Sequence, residues 1–158
     1  MNKARNPLEL APRMFESYVL LFHVVTRIID RRFAKELRPY HVTNRQAWIM
    51  LATEQGPYNQ ATVARILDVS TNQMVVEVEK LERRGLIKRI RNPEKRREML
   101  LELTVKGKQL AAKYRSHMHA SRARIFSPAR IQDIDHNTEV AKDIINDYYR
   151  RHADSDLR

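Results

Sequence analysis

Residues 70–104, STNQMVVEVEKLERRGLIKRIRNPEKRREMLLELT, constrain the fold more than any other stretch. Ser70 is a good N-cap, because its hydroxyl can accept a hydrogen bond from a free N–H of the first helical turn. Met74, Val78 and Leu81 recur at i, i+4 and i+7, which predicts a helix to Arg84 with one apolar face. Gly85 tolerates the left-handed conformation that ends a helix. Two apolar runs follow, Leu86 to Ile90 and Met99 to Leu103, around a turn that begins at Asn92-Pro93. The stretch therefore reads as a helix and then a β-hairpin. Between Arg83 and Arg97 there are eight Lys or Arg and one acidic residue, Glu94. So much positive charge at a hairpin tip packs poorly and meets phosphate well.

Composition points the same way. The formal charge of +11 favours a polyanionic partner, although a basic or ribosome-associated protein of another kind would share it. With 158 residues there is room for one ordinary domain, or a small domain with helical appendages. Cysteine is absent, which excludes disulfides and thiolate metal sites. Three glycines argue against a nucleotide-binding α/β fold, whose phosphate loops need them. The N-terminus is polar and the longest apolar run, Val19 to Val25, is broken by His23. That falls short of the roughly 20 residues of a membrane span, so neither signal peptide nor membrane partner is expected. The expected location is the cytoplasm, on the nucleoid.

In chain order, a long first helix is expected from Ala11 to Leu37, with Met14, Tyr18, Leu21, Phe22, Val25, Ile28, Ile29 and Phe33 near a 3.6-residue period. Phe15, Val19 and Val24 widen the stripe beyond the needs of one small domain, so a second copy of the chain is its natural partner. Burial wholly within one subunit is the alternative. Arg38-Pro39-Tyr40-His41 breaks this helix. Thr43 begins a second, with Gln46 completing a capping box, and Trp48, Ile49, Leu51 and Ala52 facing inward. Gly56-Pro57 ends it. Asn59 caps a third helix, Gln60 to Leu67, with Val63, Ala64 and Leu67 inside, and Asp68-Val69 turns the chain into Ser70. A helix-turn-helix with a basic hairpin behind it makes a winged helix. A long helix then spans Val105 to Phe126, and Ser127-Pro128 starts a last one that carries Ile131, Ile134, Ala141, Ile144, Ile145 and Tyr148.

Several motifs in this order resemble the MarR family of bacterial transcriptional regulators. Thr43-Asn44-Arg45-Gln46 looks like that family's entry into the second helix, and Ala64 with Leu67-Asp68-Val69-Ser70 like its helix-turn-helix. Leu81-Glu82-Arg83-Arg84-Gly85-Leu86-Ile87-Lys88-Arg89 is similar to its Leu-Glu-Lys-Lys-Gly-Leu-Val-x-Arg signature. Leu103-Thr104-Val105-Lys106-Gly107 resembles the Leu-Thr-x-x-Gly that closes its wing. The resemblance covers nearly the whole chain. It implies a mainly α fold with a small β-hairpin, in which a winged helix-turn-helix is flanked by N- and C-terminal dimerisation helices. The corresponding divisions are 1–37, 38–104 and 105–158. It also implies a homodimer on a pseudo-palindromic operator, most often as a repressor, and a cleft for a small phenolic or other aromatic acid. Two departures stand out. Where the family's wing carries Asp-x-Arg, Lys95 replaces the aspartate before Arg97, leaving Glu94 to brace that arginine. Where many members have Thr-Val-Thr-Arg in the recognition helix, this chain has Gln73-Met74-Val75-Val76.

The residues expected to meet DNA are thus Asn59, Ser70, Thr71, Asn72, Gln73, Val75, Val76 and Lys80, with Lys95, Arg96 and Arg97 on the wing. Tyr18, His23, Arg27, Tyr40, His41 and Trp48 combine aromatic surface with cationic or hydrogen-bonding groups, which suits an aromatic carboxylate. Trp48 and Tyr18 serve equally well as core. No metal or cofactor is expected: His117 and His119 stand about 200° apart on a helix, and His23 and His41 have no ligand-spaced partner. No catalytic constellation is present, since Glu77 and Glu79 point to different sides of their helix, so an enzyme is not expected. Two readings of different class remain: a ligand-responsive, sequence-specific regulator of double-stranded DNA, and an architectural or interaction protein that binds DNA by charge alone.

Overall fold

The computed structural model describes residues 13–14, 17–125 and 131–152. Among them are six helices and one two-stranded antiparallel hairpin. They divide into two compact units, Met1–Met118 and His119–Arg158.

In the first unit, helix α1 spans Tyr18–Leu37. It begins later than the periodicity predicts: Ser17 takes the extended conformation of an N-cap (φ −77°, ψ 115°), and 13–14 form a separate 3-10 turn. Residues 11–12 and 15–16 of the expected helix lie outside the described residues. Phe33 and Leu37 at its C-terminal end are buried, whereas Val19, Phe22, Val25 and Ile28 are exposed in the single chain. A 3-10 turn at Arg38–Tyr40 and a left-handed His41 (φ 53°) redirect the chain into α2, Asn44–Glu54. Its start is the capping box read from the sequence: the Gln46 N–H donates to the Thr43 hydroxyl and the Thr43 N–H to the Gln46 side chain, both at 3.2 Å. Ile49 and Ala52 are buried as expected, but Trp48 and Leu51 only partly.

Helix α3, Gln60–Ile66, is capped by Asn59 and stops one residue before the expected Leu67. Asp68 takes φ +49°, and α4 follows as Thr71–Arg83 with Ser70 as its cap. Met74, Val78 and Leu81 are all fully buried, so the i, i+4, i+7 stripe fixes the rotation of α4 against the core. Gly85 ends it at φ +65°, and the Leu86 N–H donates back to the Leu81 carbonyl at 3.0 Å. Strands β1, Ile87–Arg91, and β2, Met99–Leu103, pair with Ile87 opposite Leu103 and Arg91 opposite Met99. Helix α5, Val105–Ile125, brings Tyr114 into the core, edge-on to Phe33 (centroids 6.3 Å) and Trp48 (5.7 Å). Burial, with the nearby charges of Asp30 and Glu36, pushes the Tyr114 hydroxyl well up, so it stays neutral.

In the second unit, α6 spans Ile131–His152 and exposes Ile144, Ile145, Tyr148 and Tyr149. The expected Ser127-Pro128 start lies outside the described residues, as do the side chains of Ile131 and Ile134. No described helix is long and apolar enough to cross a membrane.

Candidate nucleic-acid interface

The first turn of α4 is held by Ser70, whose hydroxyl accepts from the Gln73 N–H at 3.3 Å. Because Met74, Val78 and Leu81 face inward, Thr71, Asn72 and Gln73 face solvent, and Val76 is 48% exposed. The sequence placed Val75 on the same open front; the structure leaves it half-buried, since it neighbours Met74 on the edge of the apolar stripe. Lys80 is exposed but ion-paired with Glu77 at 2.9 Å. Glu77 also accepts from the buried Gln46 side chain at 2.8 Å, which ties α4 to the start of α2. Burial alone would raise the Glu77 carboxyl. The hydrogen bonds from Lys80 and Gln46, with the charges of Lys80 and Arg45, outweigh it and leave the group below its ordinary value.

Several cations near the hairpin are occupied at its base. Arg89 donates to Glu82 at 2.7 Å and to Gln60 at 3.3 Å, pinning β1 to α4 and α3. Lys88 pairs across the strands with Glu102 at 2.9 Å, and Arg84 donates to the carbonyls of Tyr40 and His41. The tip differs: Pro93 to Arg97 are exposed, and Arg91, Lys95, Arg96 and Arg97 form no ion pair among the described residues.

The tip's shape comes from a carboxylate that the sequence reading passed over. Glu94 was the expected brace for Arg97, but among the described residues its side chain makes no such pair. Glu98 is the carboxylate tied into the hairpin, accepting from the Asn59 amide on one oxygen and the Asn92 amide on the other. Those two hydrogen bonds hold its carboxyl below the ordinary value. Asn59 is therefore occupied twice, since its own side-chain oxygen caps α3 through the Thr62 N–H at 2.7 Å. Asn92 is only six residues from Glu98, but Asn59, which ties it to α3, is 39 residues away and carries no local signal.

Of the six residues read as a ligand site, the structure brings Arg27 and Trp48 to one cleft. A cleft of about 670 Å³ lies between α1, the start of α2 and the α3–α4 turn, and Arg27 and Trp48 line it together with Arg31, Arg45, Leu67 and Val69. Tyr40 stands apart from it, its hydroxyl 3.2 Å from Nε2 of His117. His23 and His41 are exposed and do not line the cleft, and the side chain of Tyr18 lies outside the described residues.

Residues 34–107 match a family profile described as a winged helix DNA-binding domain. Solved structures extend the likeness beyond that segment. The regulator BldR from Sulfolobus solfataricus superposes with a TM-score of 0.73 at 21% identity, covering 90% of this chain and 99% of its own. The transcriptional repressor CouR, bound to a 23-mer DNA duplex, gives 0.74 at 22% identity over 86% and 96%. A MarR-family regulator from Rhodococcus sp. RHA1 gives 0.73 at 24% identity, covering 78% and 89%. The chain has the winged-helix fold of the MarR-family structures. A search of curated proteins by sequence gave no match. Within the winged helix, α3 and α4 form the helix-turn-helix, α4 takes the place of the recognition helix, and β1 and β2 form the wing.

Proposed function

We propose that the chain is a sequence-specific transcriptional regulator of the MarR type. It acts in the cytoplasm as a homodimeric repressor on a pseudo-palindromic double-stranded operator. The observation that carries this reading is the pairing of an uncharged, exposed recognition turn (Thr71, Asn72, Gln73) with an organised wing whose exposed tip cations form no ion pair among the described residues. The amides can pair with base edges, and the cations with phosphate. The exposed apolar residues of α1 and, separately, of α6 support dimerisation through segments 1–37 and 105–158. The cleft, with three arginines beside Trp48, suits a small aromatic or phenolic acid as the releasing ligand. A MarR-fold neighbour supports both halves of this reading: CouR is a repressor that has been seen on DNA and, from Rhodococcus jostii RHA1, bound to p-coumaroyl-CoA.

Selection of bound duplexes from a random pool tests the proposal. A regulator should recover a two-fold-related motif and favour it over random duplex by ~10³ or more at physiological salt. A ratio near unity would make the protein an architectural one that binds by charge. Sedimentation of the intact chain at micromolar concentration should show a dimer, and a well-folded monomer would refute that part.

A further inference from the structure

The wing is joined to the helix-turn-helix by a continuous hydrogen-bonded path through one carboxylate. The Thr62 N–H occupies Oδ1 of Asn59, so only the amide nitrogen of Asn59 is left to reach Glu98. On the other side, the Glu94 N–H occupies Oδ1 of Asn92 at 2.9 Å, so only that amide nitrogen faces Glu98. The backbone of Glu98 closes the loop as well: its carbonyl accepts from the Asn92 N–H at 2.9 Å and its N–H donates to the Lys95 carbonyl at 2.8 Å. Two amide donors of fixed orientation thus converge on a site that needs two acceptor oxygens. A carboxylate in the middle of four tip cations could have paired with one of them. Among the described residues it is held by neutral amides and forms no ion pair with Lys95, Arg96 or Arg97, although the charge of Lys95 acts on it.

We propose that Glu98 is a positioning residue that sets the register of the wing cations against the recognition helix, and through it the sequence specificity of DNA binding. The inference rests on the base-reading function proposed above. It predicts a sign that simple electrostatics does not. A carboxylate near DNA repels phosphate, so removing its charge should strengthen binding to every sequence. Removing a brace should instead weaken the preferred site and spare random duplex.

Glu98→Gln separates the two, because either orientation of the new amide sets its NH2 against the amide donor of Asn59 or Asn92. Glu94→Gln is the control, with the same charge change on an exposed residue whose side chain forms no hydrogen bond or ion pair among the described residues. The full-length variants are titrated with the selected operator and with random duplex, and amide exchange is followed over residues 91–99. Glu94→Gln should hold or gain affinity for both duplexes. Glu98→Gln should lose about tenfold on the operator, the worth of one charge-assisted hydrogen bond, while holding on random duplex. The Asn92 and Glu98 amides should exchange faster in this variant. Equal behaviour of the two variants overturns the proposal. So does a lowered Tm with parallel losses on both duplexes, which would make Glu98 a stability residue only. A wild-type preference near unity refutes base reading instead, and is read from the wild type alone; the exchange rates then still decide whether Glu98 holds the wing.

Discussion

Salt dependence should reveal which cations the fold leaves for DNA. Of the eight Lys or Arg from Arg83 to Arg97, three are committed within the protein: Arg84 to two carbonyls, Lys88 to Glu102, and Arg89 to Glu82 and Gln60. Arg83, Arg91, Lys95, Arg96 and Arg97 are exposed and form no ion pair among the described residues. Each phosphate neutralised on B-form DNA steepens log K against log salt by about 0.9, so five such cations let this segment contribute at most about 4.5 per protomer, where eight would allow about 7. Arg96→Ala and Arg97→Ala should each flatten the slope by about one unit per protomer. Arg84→Ala and Arg89→Ala should leave it unchanged and cost about 1 kcal/mol of folding stability instead. Fluorescence anisotropy titrations from 50 to 300 mM salt would measure the slopes, and urea denaturation the stabilities. A slope change in Arg84→Ala or Arg89→Ala as large as that of Arg97→Ala would refute the division.

Other outcomes follow from single contacts. An added Cβ at Gly107 would sit 2.0 Å from the Leu86 carbonyl oxygen, whereas at Gly85 nothing lies within 4 Å but φ is +65°. Gly85→Ala should therefore cost about 1–2 kcal/mol in strain and Gly107→Ala clearly more, since backbone must move; a reversed order in urea melts would overturn this. Gln73→Ala should cost about 1–3 kcal/mol on the preferred site and relax selectivity at one position per half-site, where an equal loss on every single-base operator variant would show that Gln73 only positions the helix. Because Glu77 is held below its ordinary value of 4.5, its contribution to stability is present above that value and is lost as pH falls through the lower, folded one. The stability of Glu77→Gln should accordingly fall less steeply below pH 4.5 than that of the wild type, and parallel curves would remove Glu77 as a source.

Much of this fold was legible because its signals are local. The caps at Thr43, Asn59 and Ser70 act over three residues, Gly85 acts on its own backbone, and the α4 stripe repeats within a single helix. The start of α1 was misread because apolar period continues through residues whose backbone ends the helix at Ser17. The brace and the cleft depended on contacts between distant positions. Arg84 reaches carbonyls 43 and 44 residues away, and Tyr40 meets His117 across 77. Aromatic and cationic residues near the α1–α2 junction looked like one site, but the 3-10 turn at Arg38–Tyr40 sends Tyr40 toward α5 while Arg27 and Trp48 stay at the cleft.

The departures from the family pattern make sense together once the two DNA-facing elements are considered as separate physical terms. The recognition helix presents Thr71, Asn72, Gln73 and Val76 without an arginine, and its Lys80 is ion-paired with Glu77. Such a surface adds little sequence-independent attraction, so base reading as proposed would use amide hydrogen bonds, which suit adenine, and methyl contacts, which suit thymine. Attraction to phosphate then falls to the wing, where the tip cations form no ion pair among the described residues and Glu98 is held by amides. Charge at the end of a mobile hairpin would bind any duplex. Charge held at a fixed distance from a helix whose rotation is locked by Met74, Val78 and Leu81 binds well only when both elements meet their targets at once. If the chain reads sequence as proposed, its selectivity depends on the rigidity between its two readers as much as on either reader's side chains.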